Sequence, residues 1–126
     1  MNEKYAPILI VDDEPEMCWI LENLIRKTGF ACKTALSARE ALNLAESDQF
    51  GMAFLDAKLP DIDGLELARQ LRKKNAYLPI VIVSGYFYQD DLIIEGIIRE
   101  GLIAAFIGKP FEHDDIVDII TRFASR

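Results

Sequence analysis

The sequence predicts an α/β fold in which a five-stranded parallel sheet is covered by helices on both faces. Short aliphatic or β-branched runs alternate five times with segments of helical periodicity, which is the pattern of such a sheet. The length of 126 residues and the hydrophobic content of 51% are typical of one domain with one core. With no internal repeat and no linker, residues 1–126 are expected to form a single domain.

Each element has its own signal in the chain. Helix starts are indicated by Pro15 in a first turn, by Ser37 with Glu40 as a capping box, and by Asp63 with Glu66 as the equivalent with an Asp cap. The aliphatic runs between the helical segments predict five strands, at residues 8–11, 32–35, 52–55, 80–83 and 104–107. The chain therefore alternates strand and helix from beginning to end.

Glycines and the polarity of helix faces add further expectations. Gly29, Gly51 and Gly101 are expected to lie where helices stop, because glycine readily adopts the left-handed conformation that ends a helix. Trp19 projects with polar neighbours on its helical wheel and should be partly exposed. The lone His113 is expected at the surface, in the first turn of the fifth helix.

Charge and cysteine content exclude several classes of function. The formal charge of −7 disfavours direct nucleic-acid contact, which needs clustered Lys and Arg, and suits a cation or a basic partner better. Cys18 and Cys32 are too few for a disulfide framework and predict reduced core thiols in a cytoplasmic protein. The most apolar late stretch is interrupted by Glu95, Arg99 and Glu100, so no membrane span is expected.

Chemically active side chains follow four of the five predicted strands. Asp12 and Asp13 follow the first strand, Asp56 the third, Ser84 the fourth and Lys109 the fifth. Ligands of open parallel sheets bind outside the carboxyl ends of the strands, so these groups should converge. Crowded carboxylates need a cation, and Mg²⁺ prefers such ligands together with phosphate oxygens. Asp56 is then placed to attack a phosphoryl group, with Lys109 balancing charge and Ser84 donating a hydrogen bond.

Four segments in this order and spacing resemble the receiver domain of bacterial two-component response regulators: "ILIVDDE", "FLDAKLPDIDG", "PIVIVSG" and "FIGKPF". The resemblance implies a flavodoxin-like αβα sandwich with strand order 2-1-3-4-5 and five helices. It further implies that Asp56 accepts a phosphoryl group from a sensor histidine kinase or a histidine phosphotransfer protein. The modified domain would control an output domain or partner and would not turn over external substrates.

The resemblance also assigns roles to individual residues. Ser84 and Lys109 would grip the phosphoryl oxygens, and Phe106 would turn inward when Ser84 shifts toward the phosphate. The bond between Lys109 and Pro110 would be cis. The implied ligands of Mg²⁺ are the carboxylates of Asp12, Asp13 and Asp56 and the backbone carbonyl of Lys58.

The fourth and fifth helical segments differ in pattern. The fifth has one apolar arc, whereas in the fourth the aliphatic residues spread over more than half of the wheel. Helix four, strand five and helix five are therefore expected to form an output surface, used for a partner or a phosphorylation-dependent homodimer. Alternatively, a reoriented helix four or the "YFY" loop covers this face. The candidate interface residues are Ile94, Ile98, Tyr86 and Phe87.

Two other classes of protein are considered. A metal-dependent phosphohydrolase of the haloacid dehalogenase type needs an Asp nucleophile, a Ser or Thr, a Lys and a final acidic pair, which could be Asp12, Ser84, Lys109, Asp114 and Asp115. The segment "DDEP" lacks the Asp-x-Asp pattern of that class, and Asp56 would have no role. A flavin mononucleotide protein would need a Ser/Thr/Gly-rich phosphate loop after strand one, where this chain has acids.

Overall fold

The computed structural model describes residues 6–85 and 91–124, without the side chains of Asp91 and Ile93. Five strands form one parallel sheet in the order β2-β1-β3-β4-β5, which confirms the predicted fold and topology. The elements follow one another as β1 Ile8–Val11, α1 Pro15–Lys27, β2 Cys32–Ala35, α2 Ala38–Ser47, β3 Met52–Leu55, α3 Gly64–Lys74, β4 Ile80–Ser84, α4 Asp91–Arg99, β5 Ala105–Gly108 and α5 His113–Phe123.

The register of the sheet brings the strand ends to one level. Val11 lies opposite Ala35 of β2 and Leu55 of β3. The backbone N–H of Asp56 donates to the carbonyl of Val11 over 2.9 Å, so the ladder continues one step beyond the strands. Residues that follow β1 and β3 therefore leave the sheet side by side, as the strand-end argument requires.

The predicted bounds of two strands need correction by one residue. β4 continues to Ser84, and β5 begins at Ala105 and ends at Gly108. The reason is the pairing of Ser84 with Gly108, a polar residue and a glycine that a search for aliphatic runs does not include. The bounds of β1, β2 and β3 agree with the prediction.

The side chains of the sheet alternate between two hydrophobic clusters. Leu9 and Leu55 point into the cluster covered by α2 and α3, together with the half-buried Ile97 of α4. Ile8 and Phe54 point into the cluster covered by α1 and α5. Both faces of the central strands are thereby buried, which explains their continuous aliphatic runs.

The helix starts follow the predicted signals, with one difference. Pro15 is the first residue of α1, and the Asp63 carboxylate accepts from the backbone N–H of Glu66 over 2.9 Å. The Ser37 hydroxyl accepts from the N–H of Glu40 over 3.1 Å, as expected for a cap. The Glu40 carboxylate, however, accepts from the N–H of residue 36 and not from that of Ser37, so this capping box closes one residue earlier than predicted.

Two of the three predicted stop glycines end helices. Gly29 and Gly101 follow α1 and α4 with φ of +98° and +86°, a conformation that costs glycine little. The prediction for Gly51 is wrong, because α2 already ends at Ser47 and Asp48 continues in extended backbone. Gly51 instead leads into β3, where an added Cβ would lie 3.3 Å from the Cβ of Ala6.

The remaining predictions for individual side chains agree with the structure. Trp19 is 67% exposed, and His113 lies exposed at the start of α5. Cys18 and Cys32 are buried free thiols, and burial raises their pKa to about 11 and about 12. Within residues 6–85 and 91–124, no helix has the length and apolar character needed to cross a membrane.

Candidate functional site

Three carboxylates meet at the carboxyl edge of the sheet. Asp12 and Asp13 follow β1, Asp56 follows β3, and one carboxylate oxygen from each lies within 4.8 Å of the others. Asp12 is 2% exposed, the side chain of Asp56 is 11% exposed, and Asp13 faces solvent. The structure therefore brings together the three acids that the sequence selected.

Lys109 reaches this acidic cluster from the end of β5. Its ammonium lies 2.8 Å from Oδ2 of Asp12 and 3.8 Å from Oδ1 of Asp56. The other oxygen of Asp12 accepts from the backbone N–H of Glu14 over 2.9 Å. Both oxygens of the buried Asp12 carboxylate are thus engaged, and the lysine compensates Asp12 more closely than Asp56.

The electrostatic surroundings of Asp56 disfavour its charged form. Burial raises the pKa of the Asp56 carboxyl, and the neighbouring charges of Asp12 and Asp13 raise it further. Lys109 and a hydrogen bond from the backbone N–H of Lys58 oppose this rise without cancelling it. An additional cation at the cluster would therefore stabilise ionised Asp56.

The donor set fits a hard divalent cation such as Mg²⁺. Mg²⁺ prefers oxygen ligands, takes few carboxylates and keeps several waters. The cluster supplies three neighbouring carboxylate oxygens, and Asp13 and Asp56 also line a cleft of about 430 Å³. The other residues lining this cleft are Glu14, Lys58, Leu59, Pro60, Gly85 and Lys109.

Ser84 and Phe106, the two predicted switch residues, lie on neighbouring strands. Ser84 is the last residue of β4 and only 1% exposed, and its carbonyl accepts from the N–H of Lys109 over 2.9 Å. Phe106 of β5 lies opposite Ile82 of β4 and is half-buried against the hydrophobic cluster that α2 and α3 cover. The peptide bond between Lys109 and Pro110 is cis, as the resemblance implied.

The predicted interface residues are only partly described. Ile98 is 38% exposed on α4, and Ile94 is half-buried. Tyr86 and Phe87 lie outside the described residues. The structure thus shows aliphatic surface on α4, and its use as an interface stays a prediction.

Gly64 supports the site in a way that sequence reasoning did not identify. A Cβ at this position would lie 2.1 Å from the carbonyl oxygen of Asp56, and the N–H of Gly64 donates to the carbonyl of Ala57 over 2.7 Å. The start of α3 therefore approaches the backbone of Asp56 more closely than any side chain permits. The Asp-Gly pair in "FLDAKLPDIDG" was the available signal.

Two further residues, Asp61 and Arg72, were missed because each has a partner that is remote in sequence. The Asp61 carboxylate accepts from the backbone N–H groups of Ala38 and Arg39. At the opposite end of the sheet, the Arg72 guanidinium donates to the carbonyls of Leu78 and Leu102 over 2.6 and 2.8 Å. Nothing in the local pattern around either residue indicates these partners.

The structure does not favour the phosphohydrolase alternative. Asp114 and Asp115 lie in the first turn of α5, where the Asp115 carboxylate accepts from the N–H of Glu112 over 2.8 Å. This acidic pair is thus occupied at a helix start and does not end a strand. Asp56, which that alternative left without a role, lies in the cluster.

Comparison with known proteins identifies the class. The family model of the response regulator receiver domain matches residues 8–121. The chain therefore belongs to the receiver domains of two-component response regulators, and its role is phosphorylation-dependent signalling.

Individual relatives and solved structures are similar over nearly the whole chain. The C4-dicarboxylate transport transcriptional regulatory protein DctD of Pseudomonas aeruginosa is 30% identical over 115 residues, covering 91% of this chain and 24% of DctD. A CheY-like receiver domain protein of Methanospirillum hungatei is 27% identical with a TM-score of 0.85, covering 94% of this chain and 93% of that one. Response regulator TrrA of Thermotoga maritima, solved with Mg²⁺ and BeF, is 28% identical with a TM-score of 0.80, covering 94% and 98%. The chain spans about a quarter of the length of DctD and of the NtrC regulators that it also matches.

Proposed function

We propose that residues 1–126 form one receiver domain in which Asp56 is the phosphoacceptor. A carboxylate oxygen of Asp56 would form a bond to phosphorus while the bond from phosphorus to a donor histidine nitrogen breaks, leaving the electron pair on that nitrogen. The single observation that carries this proposal is the position of Asp56, which lines the cleft with Lys109 3.8 Å away. Lys109 would balance phosphoryl charge, and the Ser84 hydroxyl would donate to a phosphoryl oxygen.

A labelling experiment tests the assignment of Asp56. Incubation with a small phosphodonor and Mg²⁺ should give one hydroxylamine-labile phosphoryl group per chain. The result should be a stoichiometric modification of the protein and not enzymatic turnover of an external substrate. Asp56→Asn should abolish the label while the fold persists. Asp118→Asn, a change of an exposed acid on α5, is the matched control and should label fully. A fully labelled Asp56→Asn variant would overturn the assignment.

Mg²⁺ is the proposed cofactor, held by Asp13 and Asp56 with the backbone carbonyl of Lys58, and with Asp12 assisting through water. When bound, it would neutralise the clustered acids and the charge of the phosphoryl group. The structure of TrrA with Mg²⁺ and BeF supports this choice of ion by analogy.

Thermal unfolding tests the metal site without reference to phosphorylation. Mg²⁺ should raise the melting temperature because it binds the folded cluster and relieves repulsion there. Asp13→Ala should remove most of this increase, whereas Glu16→Ala, which removes an exposed acid of α1, should retain it. An equal response of both variants would contradict the proposed ligands.

Activation is proposed to couple Ser84 with Phe106 through a population shift. Phe106 is half-buried, so its ring has room to become more buried when Ser84 moves toward a phosphoryl group. A beryllofluoride mimic should change the NMR environment of the Phe106 ring in the wild-type chain. In Ser84→Ala the mimic should still bind, with a reduced change at the ring. A ring that does not respond in the wild-type chain with bound mimic would exclude the coupling.

The output surface is proposed to comprise α4, β5 and α5. Exposed aliphatic side chains of α4 support it, as does a groove of about 330 Å³ between Phe106 of β5 and Asp118 of α5. Ile94, Ile98, Tyr86 and Phe87 are the proposed contact residues. The partner would be an output domain, a separate protein or a second copy of the chain, in the cytoplasm and with no direct nucleic-acid contact by these residues.

A further inference from the structure

One carboxylate ties the loop after β3 to the start of α2. Oδ1 of Asp61 accepts from the backbone N–H of Ala38 over 3.0 Å, and Oδ2 accepts from that of Arg39 over 2.9 Å. These are the first two residues of α2, whose amides have no acceptor within the helix. The start of a helix also favours a negative charge. Asp61 therefore serves as a cap for a helix that begins 23 residues earlier in the chain.

α2 has a second cap that involves no part of this loop. The Ser37 hydroxyl accepts from the backbone N–H of Glu40, within the same helix end. The structure thus uses two side chains for different amides of one terminus. Among the hydrogen bonds of the described residues, those of Asp61 join that terminus to the β3–α3 loop and that of Ser37 does not, so the two caps can be removed separately.

The loop that Asp61 anchors begins at the proposed phosphoacceptor. At its base, Lys58 forms an isolated antiparallel bridge with Asp63, and the N–H of Gly64 donates to the carbonyl of Ala57. These contacts close the loop on itself, the Asp56 N–H joins its base to Val11 of β1, and Leu59 is buried in the cluster that also contains Leu9 and Ala35. α2 packs against β2 and β1, and β1 leads to Asp12 and Asp13. The Asp61 bonds therefore add a polar connection between the loop that follows Asp56 and the helix that packs against the strand leading to Asp12 and Asp13.

We propose that Asp61 is a positioning residue for phosphoryl transfer, holding the β3–α3 loop so that Asp56 and the Lys58 carbonyl keep their place relative to Asp12 and Asp13. This inference rests on the proposed role of Asp56. Desolvation raises the pKa of the Asp61 carboxyl, but hydrogen bonds from the amides of Arg39, Ala38 and Ile62 outweigh it and lower the pKa overall. Asp61 is consequently a charged acceptor at neutral pH, and charge-assisted bonds are the stronger kind.

Asp61→Ala and Ser37→Ala form a matched pair for testing this role. Each removes a cap from α2, but only Asp61→Ala detaches the loop. Loss of a residue that orients metal or site ligands typically costs about tenfold to a hundredfold in affinity or activity. We expect a loss in that range for Asp61→Ala, both in the labelling rate with a small phosphodonor and in Mg²⁺ affinity. Ser37→Ala should change neither by more than about twofold. Asp61→Asn, which keeps one carbonyl oxygen, should restore part of the loss.

A readout without metal or phosphodonor separates positioning from helix stability. In NMR spectra of the metal-free protein, Asp61→Ala should shift the backbone amides of residues 57–59, and Ser37→Ala should leave them in place while both variants disturb the start of α2. Should Asp61→Ala fail to fold, Asp61→Asn carries the same comparison with a smaller expected change.

The possible outcomes discriminate between the two proposals. If the wild-type chain does not label at Asp56, the proposed function fails, whereas the amide shifts still report whether Asp61 positions the loop. If the wild-type chain labels but the Asp61 and Ser37 variants label at equal rates with unshifted amides at residues 57–59, Asp61 is only a helix cap and the inference is overturned.

Discussion

Helices α4 and α5 precede and follow the same strand, β5, and pack on opposite faces of the sheet, yet they use their aliphatic residues differently. In α5 the buried residues Ile116, Ile119 and Ile120 form one arc, and the polar residues opposite are exposed. In α4, Leu92 is 70% exposed and Ile98 is 38% exposed.

The pattern of apolar residues in a helix thus carries information about the surface of the folded domain as well as about its core. A single apolar arc is fully used by packing against the sheet, as in α5. An arc that exceeds half of the wheel has side chains beyond those that packing against the sheet can bury, and on α4 these include Leu92 and Ile98. The proposed output surface would account for the exposed aliphatic side chains of α4, since exposed apolar patches commonly mark interaction sites.

The largest expected effect comes from truncating the buried arc of α5. Ile120→Ala should lower the free energy of unfolding by about 2–5 kcal/mol, because a fully buried side chain leaves a cavity. Ile98→Ala in α4 should cost less than about 1 kcal/mol, since part of its surface is already exposed and alanine favours a helix. Urea unfolding monitored by circular dichroism measures both. Similar losses in the two variants would show that Ile98 contributes to the core as much as Ile120 does.

A smaller effect is expected at the start of α5. The Asp115 carboxylate accepts from the backbone N–H of Glu112 and completes a capping box. Asp115→Ala should therefore lower the free energy of unfolding by about 1 kcal/mol. Asp118→Ala, in the middle of the exposed face of the same helix, serves as the control and should change it by less than about 0.5 kcal/mol. A negligible change at both positions would show that the box does not stabilise α5.

The smallest change in stability is expected on α4. Leu92→Ser replaces a largely exposed side chain and should alter the free energy of unfolding by less than about 1 kcal/mol, mostly through helix propensity. Differential scanning calorimetry at matched pH is the suitable measurement. A loss comparable to that of Ile120→Ala would mean that Leu92 is part of the core and does not contribute to an exposed aliphatic surface.

The sequence predicted the fold and the acidic cluster because both depend on local or periodic signals. Aliphatic runs locate the strands, and the strand-end rule then selects Asp12, Asp13 and Asp56 without knowledge of any contact. The errors arose where local signals were ambiguous. Gly51 marks a close approach to Ala6 and not a helix end, and β4 gained Ser84 through pairing with another strand.

Polar contacts between residues far apart in the chain could not be predicted from the sequence. Asp61 and Arg72 look like ordinary exposed residues of a loop and a helix, and only the folded chain brings them to amides and carbonyls 22 to 30 positions away. The sequence could likewise not predict that Lys109 lies closer to Asp12 than to Asp56, because these distances depend on where β5 ends relative to β1. Single residues of this kind require the structure.

The last prediction concerns self-association through α4, where the expected effect on stability is small but the effect on assembly is not. Sedimentation of the wild-type chain with Mg²⁺ and beryllofluoride should show a dimer that is weaker or absent without the mimic. Leu92→Glu and Ile98→Glu should each weaken it, because an ionised carboxylate placed in an apolar contact loses hydration without gaining a partner.

The control for this experiment must introduce the same charge elsewhere. Asn43→Glu places a carboxylate on the exposed side of α2, remote in sequence from α4, so it changes the net charge identically without touching the proposed surface. Dimerisation that survives Asn43→Glu but not the two α4 variants would show that the exposed aliphatic side chains of α4 form the dimer contact. A wild-type chain that stays monomeric in both states would exclude a homodimer, and the aliphatic face of α4 would then have to serve a different protein or an output domain.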